Sequence, residues 1–142
     1  MPGTWGVDTP RGKLWAGFFG GTVVKLGTVQ LLPASPWLAG GLTSLDGLPT
    51  EESHRLLLVM AGRAENPEMK WNANRDSVGN GWGTGPTYVE GIDAGVRVGT
   101  NFRECRVWAL DETGATRRLV PSTVKDGVLR FQVSPFYRTL WY

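Results

Sequence analysis

Residues able to act in acid–base or nucleophilic chemistry are few in this sequence. It holds one histidine, His54, and one cysteine, Cys105. His54 directly follows Ser53, and neighbouring residues on a strand point to opposite faces, so we do not expect a nucleophile–base pair here. Cys105 alternates with Val107 and Ala109 along an expected strand, which predicts a buried small hydrophobe. Residues 79–85 are glycine-rich but lack the lysine and the strand–helix context of a phosphate-binding loop.

Carboxylate pairs are the remaining route to catalysis. Glu65, Glu68, Asp76 and Glu90 lie within one stretch of the chain. A glycoside hydrolase needs two acids about 5–5.5 Å apart for retention of configuration, or about 6.5–9.5 Å apart for inversion. The other interpretation is that these acids pair with the basic residues of the same stretch and hold it in shape. We favour the second interpretation and predict no catalytic residue, while a small all-β hydrolase stays as an alternative.

The same inventory argues against a metal cofactor. With one histidine and one cysteine, a zinc site would have to be built almost wholly from carboxylates, which zinc disfavours. We therefore predict no metal site and no cofactor. A structural calcium ion, held by carbonyl groups and aspartates, stays open at this stage.

The aromatic residues offer a different chemistry, because the chain has seven tryptophans. An indole can cover the C–H face of a sugar ring while nearby amides and charged groups bond its hydroxyls. From Gly62 to Gly91 the chain is rich in asparagine, glycine and charge, yet it carries aromatic residues. This mixture predicts a carbohydrate site in which Trp71 and Trp82 are stacking platforms. The predicted polar and aromatic residues around them are Asn72, Asn74, Arg75, Glu65 and Tyr88.

A second surface is predicted around Trp108. It shares one face of its expected strand with Glu104 and Arg106, opposite the apolar side chains. Trp108 is therefore expected to be exposed, or covered by a loop or another domain, and with Arg106 it forms a possible partner-domain face. Among the other tryptophans, the sequence context places Trp15 and Trp141 in the core and leaves Trp5 and Trp37 open.

We expect β-strands to position the candidate site residues, because the sequence consists of short apolar segments separated by turns. Turn signals such as Asp126-Gly127 recur about every 8–12 residues. We predict an all-β chain forming one β-sandwich or jelly roll of about eight to ten short antiparallel strands. Residues 50–54 are the one expected helical turn, and residues 55–61, apolar on both faces, are the expected central strand. The other expected strands are residues 15–19, 22–26, 28–32, 42–45, 94–98, 105–110, 116–124, 128–133 and 137–141.

Size and charge narrow the classes of partner. The 142 residues suit one domain spanning positions 1–142. The net charge is +2 and the basic residues are scattered, whereas a nucleic-acid-binding protein usually gathers them into a stripe. The longest apolar run is far shorter than the roughly 20 residues that cross a bilayer, and no signal peptide is visible. We expect neither a nucleic acid nor a membrane as partner.

Several motifs carry a resemblance that runs over nearly the whole chain. They are residues 7–11, 20–27, 43–47, 61–66, 69–72, 75–83, 85–91 and 107–111. This set resembles the accessory β-domain that follows the catalytic barrel in bacterial clan-A glycoside hydrolases. The resemblance implies a non-catalytic β-sandwich, which either binds carbohydrate or braces the barrel. The catalytic glutamates of that clan belong to the barrel, so none is carried over to this chain.

Together these observations lead us to expect a carbohydrate-binding module. It would target a secreted, extracellular glycoside hydrolase in the same polypeptide to β-linked plant polysaccharide of the cellulose or β-glucan type. The first alternative is a structural domain that packs on the catalytic barrel and buries the Trp108 face and the stretch from Gly62 to Gly91. The second alternative is the small hydrolase. Both ends of the sequence are interpreted as cuts in a longer multidomain protein.

Overall fold

Short antiparallel strands joined by turns form nearly all of the regular structure. The computed structural model describes residues 3–142, and in that part of the chain the only helix is one 3-10 turn. The elements are β1 Thr4–Asp8, β2 Gly12–Phe18, β3 Val24–Leu26, β4 Val29–Pro33, β5 Trp37–Ser44, β6 Leu56–Ala61, β7 Ala64–Glu65, β8 Tyr88–Val89, β9 Ala94–Gly99, β10 Val107–Leu110, β11 Thr116–Val120, β12 Ser122–Lys125, β13 Val128–Val133 and the 3-10 helix Pro135–Tyr137.

The first sheet has the strand order β1-β2-β5-β6, with every pair antiparallel. Its strands alternate between two faces, as the two-residue period of a strand requires. In β2, Lys13 and Trp15 point inward and are buried, whereas Leu14 and Phe18 point outward and are exposed. The inward ammonium of Lys13 is neutralised by Asp8, with 2.6 Å between Nζ and Oδ1. One face of this sheet therefore belongs to the core.

The second sheet has the order β12-β13-β9-β4-β3 and is also antiparallel throughout. Its central strands bury every second side chain, such as Val29 and Leu31 of β4 and Val96 and Val98 of β9. These residues form one hydrophobic cluster with the inward side chains of the first sheet. Two sheets on a shared core is the arrangement of a β-sandwich. The prediction of an all-β fold of short antiparallel strands is confirmed.

The C-terminal segment (residues 140–142) joins two parts of the fold. Leu58 and Tyr142 exchange backbone hydrogen bonds of 2.8 and 2.9 Å, which adds this segment to the free edge of β6. On its other side, the Leu110 N–H donates to the Trp141 carbonyl at 2.9 Å, which attaches the β10–β11 hairpin. The first sheet thus continues through residues 140–142 to β10 and β11.

Two strand predictions near this segment are wrong in detail. Residues 137–141 do not form a strand, because Pro135 starts a 3-10 turn capped by the Ser134 side chain, and the chain pairs again only near its end. Trp141 is partly buried instead of lying in the core. Residues 116–124 form two strands, because Pro121 lacks the N–H that a continuous ladder needs. Pro121 marks the point at which the chain passes from one sheet to the other.

Other differences concern single elements. Residues 50–54 form hydrogen-bonded turns and no helix, with Glu52 N–H donating to the Pro49 carbonyl at 3.0 Å. β6 is the last strand of its four-stranded sheet, with only the short segment 140–142 paired on its other edge, and its outward residues are only partly buried. Cys105 lies just before β10 and is partly buried against the core. The strands number thirteen because β1, β7 and β8 were not expected, one expected strand is split, and the strand expected at residues 137–141 is absent.

Candidate functional site

The stretch from Gly62 to Gly91 leaves the sandwich and returns as one irregular antiparallel hairpin, which we call the arm (residues 62–91). Backbone hydrogen bonds cross it at five levels between its base and its tip. Its only regular ladder is the two-residue pairing of β7 with β8. From base to tip, the paired residues are Gly62 with Glu90, Glu65 with Tyr88, Pro67 with Thr84, Lys70 with Gly81, and Asn72 with Ser77.

The arm makes no contribution to the hydrophobic core. The buried cluster contains no residue from positions 62–91, and Gly62 at the base is the one arm residue classed as buried. A long irregular segment in a compact protein usually has a function of its own or is disordered. This one is fixed by its own polar contacts, and its surface is open to a ligand or a partner.

Arg63 and Glu90 fasten the base of the arm. The Arg63 side chain donates from Nε to Glu90 Oε2 at 3.1 Å, and the Arg63 backbone N–H donates to the same oxygen at 3.4 Å. The Arg63 side chain and then its backbone N–H hold the pKa of Glu90 below its ordinary value, despite some burial. A general acid needs a raised pKa, so Glu90 is arranged for structure.

Asn66 fastens the middle of the arm and positions Trp82. Its amide Nδ2 donates to the Trp82 carbonyl at 2.9 Å, and its Oδ1 accepts from the Thr87 hydroxyl. Gly83 has a φ of +70° and lies so close to Pro67 that an added Cβ would be 2.1 Å from the Pro67 carbonyl oxygen. The Trp82 backbone is therefore held on both sides, while its side chain is 62% exposed.

Asn72 and Asp76 close the tip of the arm. Asn72 Nδ2 donates to Asp76 Oδ1 at 2.6 Å, and the Asp76 N–H donates to Asn72 Oδ1 at 3.1 Å. Both polar groups of the Asn72 side chain are thus engaged within the turn. Asn74 lies at the same tip and is exposed.

Arg75 contacts two of the other predicted site residues. One of its guanidinium nitrogens lies 2.9 Å from Glu65 Oε1, and its central carbon lies 5.3 Å from the centroid of the Trp71 ring. Trp71 is partly buried, and its indole nitrogen has neither solvent contact nor a hydrogen-bond partner within residues 3–142. Glu65 in turn lies directly opposite Tyr88, whose side chain is 65% exposed. Glu65, Arg75 and Trp71 therefore form one connected group, with Tyr88 beside it.

Two of the four acidic residues of the arm pair with basic residues, as the structural interpretation predicts: Glu65 with Arg75 and Glu90 with Arg63. Asp76 instead accepts from the Asn72 amide, and Glu68 is exposed. Within the described residues, no cluster of three or more histidine, cysteine, aspartate or glutamate side chains could hold a metal ion. Ser53 and His54 lie in the turn before β6, where the Ser53 hydroxyl donates to Asp46 Oδ1 at 2.8 Å and also lies 2.8 Å from the Arg55 carbonyl oxygen.

The Trp108 surface is exposed, as predicted. Trp108 is 36% exposed on β10, and the residue directly opposite it on β11, Leu119, is 52% exposed. Arg106 precedes β10 and is also exposed. The pair of Trp108 and Leu119 gives the outer side of this hairpin an apolar centre.

A second apolar surface was not expected from the sequence. The outward side chains of β1 and β2 include Trp5, Leu14 and Phe18, which are 57%, 47% and 63% exposed. The register places Leu14 opposite Gly41 and Phe18 opposite Trp37 on β5, so the apolar surface continues across the sheet. The sequence of β2 did carry an indication of this surface, because its odd-numbered and its even-numbered residues are both mostly apolar. Such a pattern indicates a strand that is covered on both faces.

Comparison with known proteins adds no assignment. The chain matches no protein family, and neither a curated protein nor a solved structure matches it significantly. Among the described residues, none of the helical structure is long and apolar enough to cross a membrane. The arguments about function therefore rest on the arm and on the exposed apolar surfaces.

Proposed function

We propose that this chain is a non-catalytic carbohydrate-binding module. Its ligand would be β-linked plant polysaccharide of the cellulose or β-glucan type, and it would target an appended glycoside hydrolase outside the cell. The observation that carries the proposal is the exposed indole of Trp82 on a backbone that Asn66 and Gly83 hold in place. A rigid aromatic platform loses little conformational entropy when a sugar ring stacks on it.

Polar groups for the sugar hydroxyls are available on the same arm. Tyr88 presents a phenol beside Glu65, and Asn74 is exposed at the tip. Arg75 holds Glu65 in a fixed position, and a fixed hydrogen-bonding group binds with less loss of side-chain entropy. Trp82 would stack on a sugar ring, and these residues would form hydrogen bonds with the sugar hydroxyls.

A catalytic role is the weaker interpretation of the same arm. Glu65, Asp76 and Glu90 are each bonded to another arm residue, and the pKa of Glu90 is shifted away from that of a general acid. These contacts support the module over a hydrolase.

A polysaccharide pull-down tests the proposal. The chain is mixed with insoluble cellulose and with gel-embedded xyloglucan, mixed-linkage glucan, xylan and mannan, and bound protein and released reducing sugar are measured together. We expect binding without sugar release. Trp82→Ala should remove binding while the protein stays folded. Trp5→Ala is the matched control, because Trp5 has similar exposure but lies outside the arm. Binding that survives in a folded Trp82→Ala protein would overturn the assignment to the arm, and sugar release would favour the hydrolase.

A second candidate function is favoured by the apolar outer face of the first sheet. Leu14 and Phe18 have no polar side-chain atom for sugar hydroxyls, and together with Trp5 they suit an apolar protein surface. In this interpretation the chain packs on and stabilises a catalytic barrel. If no polysaccharide binds, and if charge substitutions at Leu14 and Phe18 weaken association with that barrel, this function replaces the first.

A further inference from the structure

The outer face of the second sheet carries basic side chains and no acidic ones. The five strands of this sheet, all within residues 3–142, contain four basic residues and no aspartate or glutamate. All four point away from the core, because their neighbours along the strands pack against it. They are Lys25, Arg97, Lys125 and Arg130.

The strand register aligns three of these basic residues in one row across the sheet. Arg130 of β13 lies directly opposite Arg97 of β9, which in turn lies opposite Gln30 of β4. Gln30 lies opposite Lys25 of β3, and Thr123 of β12 lies opposite Arg130. Neighbouring strands are about 4.8 Å apart, so these five residues span about 19 Å. We call them the cationic row.

The two arginines of the cationic row repel each other. Directly opposite residues in an antiparallel pair have Cβ atoms about 4.5–5.5 Å apart, and like charges in this position destabilise a sheet. Within residues 3–142, no ion pair includes Arg97 or Arg130. Of the acids next to these strands in the sequence, Asp93 accepts from Gln132 Nε2 at 2.6 Å, and Asp126 lies in the turn between β12 and β13. An anion between the two guanidinium groups would replace this repulsion by attraction.

The guanidinium group of Arg130 is already held in place. Its Nη1 donates to the Lys125 carbonyl at 2.8 Å and to the Val128 carbonyl at 3.2 Å. Beside it the face sinks into a groove of about 570 Å³, which both arginines border and to which Gly95 contributes no side chain. Arg97 is exposed at this groove. A fixed arginine can bind a carboxylate through two parallel hydrogen bonds with less loss of side-chain entropy.

The other members of the cationic row indicate a ligand with hydroxyl groups and more than one acidic group. The amide of Gln30 lies between Arg97 and Lys25, and both the amide and the Thr123 hydroxyl can bond sugar hydroxyls. Lys25 lies two strands from Arg97, or about 10 Å away, so one small anion cannot use both. A chain of acidic sugars offers hydroxyls and repeated carboxylates together.

Other polyanions fit this face less well. Proteins that bind single-stranded nucleic acids stack the bases on aromatic side chains. The described strands of the second sheet place no aromatic side chain on this face, because their one aromatic residue, Phe131, packs against the core. A DNA duplex is read by a helix or ribbon that enters its groove, and this face is an open sheet. The centre of a protein interface is usually depleted of charge, whereas two arginines form the centre here.

We propose that the cationic row binds an acidic polysaccharide. One carboxylate would lie between Arg97 and Arg130, and a second would lie at Lys25. Gln30 and Thr123 would bond the sugar hydroxyls near these carboxylates. This site uses no residue of the arm, so it adds a charged class of ligand to the neutral polysaccharide proposed above.

The probe is polygalacturonate, in which every sugar carries a carboxylate, and calorimetry measures its binding. The matched control is the same polymer with its carboxylates converted to methyl esters. It should bind at least about tenfold more weakly, because the charge-assisted hydrogen bonds are lost. Binding should also weaken as the salt concentration rises from about 0.01 to about 1 M, since the Debye length falls from about 30 to about 3 Å. Equal binding of the two polymers overturns the proposal.

Three further probes test the class of ligand: monomeric galacturonate, polyglutamate and a DNA duplex. Each should bind at least about tenfold more weakly than polygalacturonate, because each lacks either the repeated carboxylates or the sugar hydroxyls between them. Equal binding of the monomer would reduce the site to one anion. Equal binding of polyglutamate or DNA would show a surface for polyanions in general. Either result overturns the proposal.

Variants locate the site. Arg97→Gln should weaken binding of polygalacturonate at least about tenfold, and it should fold because it relieves the repulsion from Arg130. Lys25→Gln should weaken binding by a smaller factor. Arg11→Gln is the matched control, because Arg11 is exposed in the turn between β1 and β2 and its loss changes the net charge equally. Equal weakening by Arg11→Gln, or unchanged binding by either of the other variants, overturns the proposal.

A neutral polysaccharide separates this site from the arm. Trp82→Ala should bind polygalacturonate normally, and Arg97→Gln should bind cellulose or β-glucan as the unaltered chain does. Failure of the cationic row and failure of the arm are therefore seen separately. Loss of polygalacturonate binding in a folded Trp82→Ala protein would place the acidic ligand on the arm and overturn the proposal.

Discussion

The guanidinium of Arg75 lies over the indole of Trp71, with its central carbon 5.3 Å from the ring centroid. The same guanidinium donates to Glu65 at 2.9 Å. Residues that the sequence presents as separate parts of a sugar site are therefore in contact with one another. One face of Trp71 is already covered, which leaves Trp82 and Tyr88 as the open aromatic side chains of the arm.

Removing this cover should change the environment of Trp71 with little effect on global stability. Arg75→Ala deletes the cation and the ion pair, both largely exposed, so the free energy of unfolding should change by no more than about 1 kcal/mol. Quenching of tryptophan fluorescence by acrylamide should increase. In a Trp71→Phe background the same substitution should leave quenching unchanged; an equal increase there would assign the effect to another tryptophan.

Two arm glycines provide a matched pair for testing whether the shape of the arm matters. Gly83→Ala places a Cβ 2.1 Å from the Pro67 carbonyl oxygen, whereas Gly79→Ala meets no atom within 4 Å, and both glycines have positive φ. Both substitutions carry backbone strain, but only the first forces the two sides of the arm apart. We expect Gly83→Ala to lose polysaccharide binding by affinity electrophoresis and Gly79→Ala to retain it. Equal retention by both variants would show that arm geometry is not needed.

The core and the arm should be separable in stability. Leu38 has no solvent exposure, so Leu38→Ala should lower the free energy of unfolding by about 2–5 kcal/mol. Leu45 is 54% exposed, and Leu45→Ala should change the free energy of unfolding by less than about 0.5 kcal/mol. Urea denaturation measures both values. Because the arm contributes nothing to the core, the folded fraction of the Leu38→Ala protein should bind polysaccharide normally, and weaker binding would indicate coupling between them.

Asp46 should make stability depend on acid pH. Burial raises the pKa of its carboxyl group, but donors from Ser44, Ser53, His54 and Leu48 outweigh this and hold the pKa well below its ordinary value of 3.8. A lowered pKa means that the stabilisation is fully present above the unfolded value of 3.8. It is lost as the pH falls from there toward the pKa of the folded state.

The measurement for Asp46 is urea denaturation at a series of pH values. Asp46→Asn should be less stable than the natural chain at pH 7, because an amide N–H₂ replaces one of the accepting oxygens. The difference between the two proteins should shrink as the pH falls below 3.8. A constant difference across this range would contradict the assignment.

The apolar outer face of the first sheet should bind a hydrophobic dye. Phe18 is 63% exposed and lies beside other outward apolar residues, so Phe18→Lys should reduce binding of anilinonaphthalene sulfonate without unfolding the protein. Phe136 is 68% exposed, but the Arg118 guanidinium lies 4.9 Å from its ring centroid. Phe136→Lys is therefore the control, with dye binding expected to stay unchanged. A larger loss of dye binding in the Phe136→Lys protein would show that the dye does not bind mainly to the outer face of the first sheet.

Most strands could be predicted because their signals are local. Alternation in residues 128–133 gives the observed limits of β13, and Asp126-Gly127 gives the turn before it. β1 was missed because Gly6 and Asp8 are residue types depleted in strands, and they interrupt a segment that depends on pairing with β2. The position of β6 could not be known either, since an apolar pattern on both faces does not show what covers the second face.

The site could be located by composition but not resolved by it. The abundance of asparagine, glycine and charged residues correctly predicted that the arm is irregular. The pairing of Glu65 with Arg75 agrees with the interpretation that the acids of the arm pair with its basic residues. Which tryptophan stays open depends on long-range contacts. Trp71 is covered by Arg75, and Trp82 is fixed through Asn66, sixteen residues away in sequence. No local pattern encodes such contacts.

The joining role of residues 140–142 has a kinetic consequence. Leu58 and Leu110 obtain backbone partners from the far end of the sequence, so the continuous sheet forms only after a long loop has closed. During translation, the β10–β11 hairpin leaves the ribosome before the segment that ties it to β6. Until that segment arrives, the edges of β6 and β10 stay open together, and this is the period in which a chaperone or a neighbouring nascent chain has most access to them.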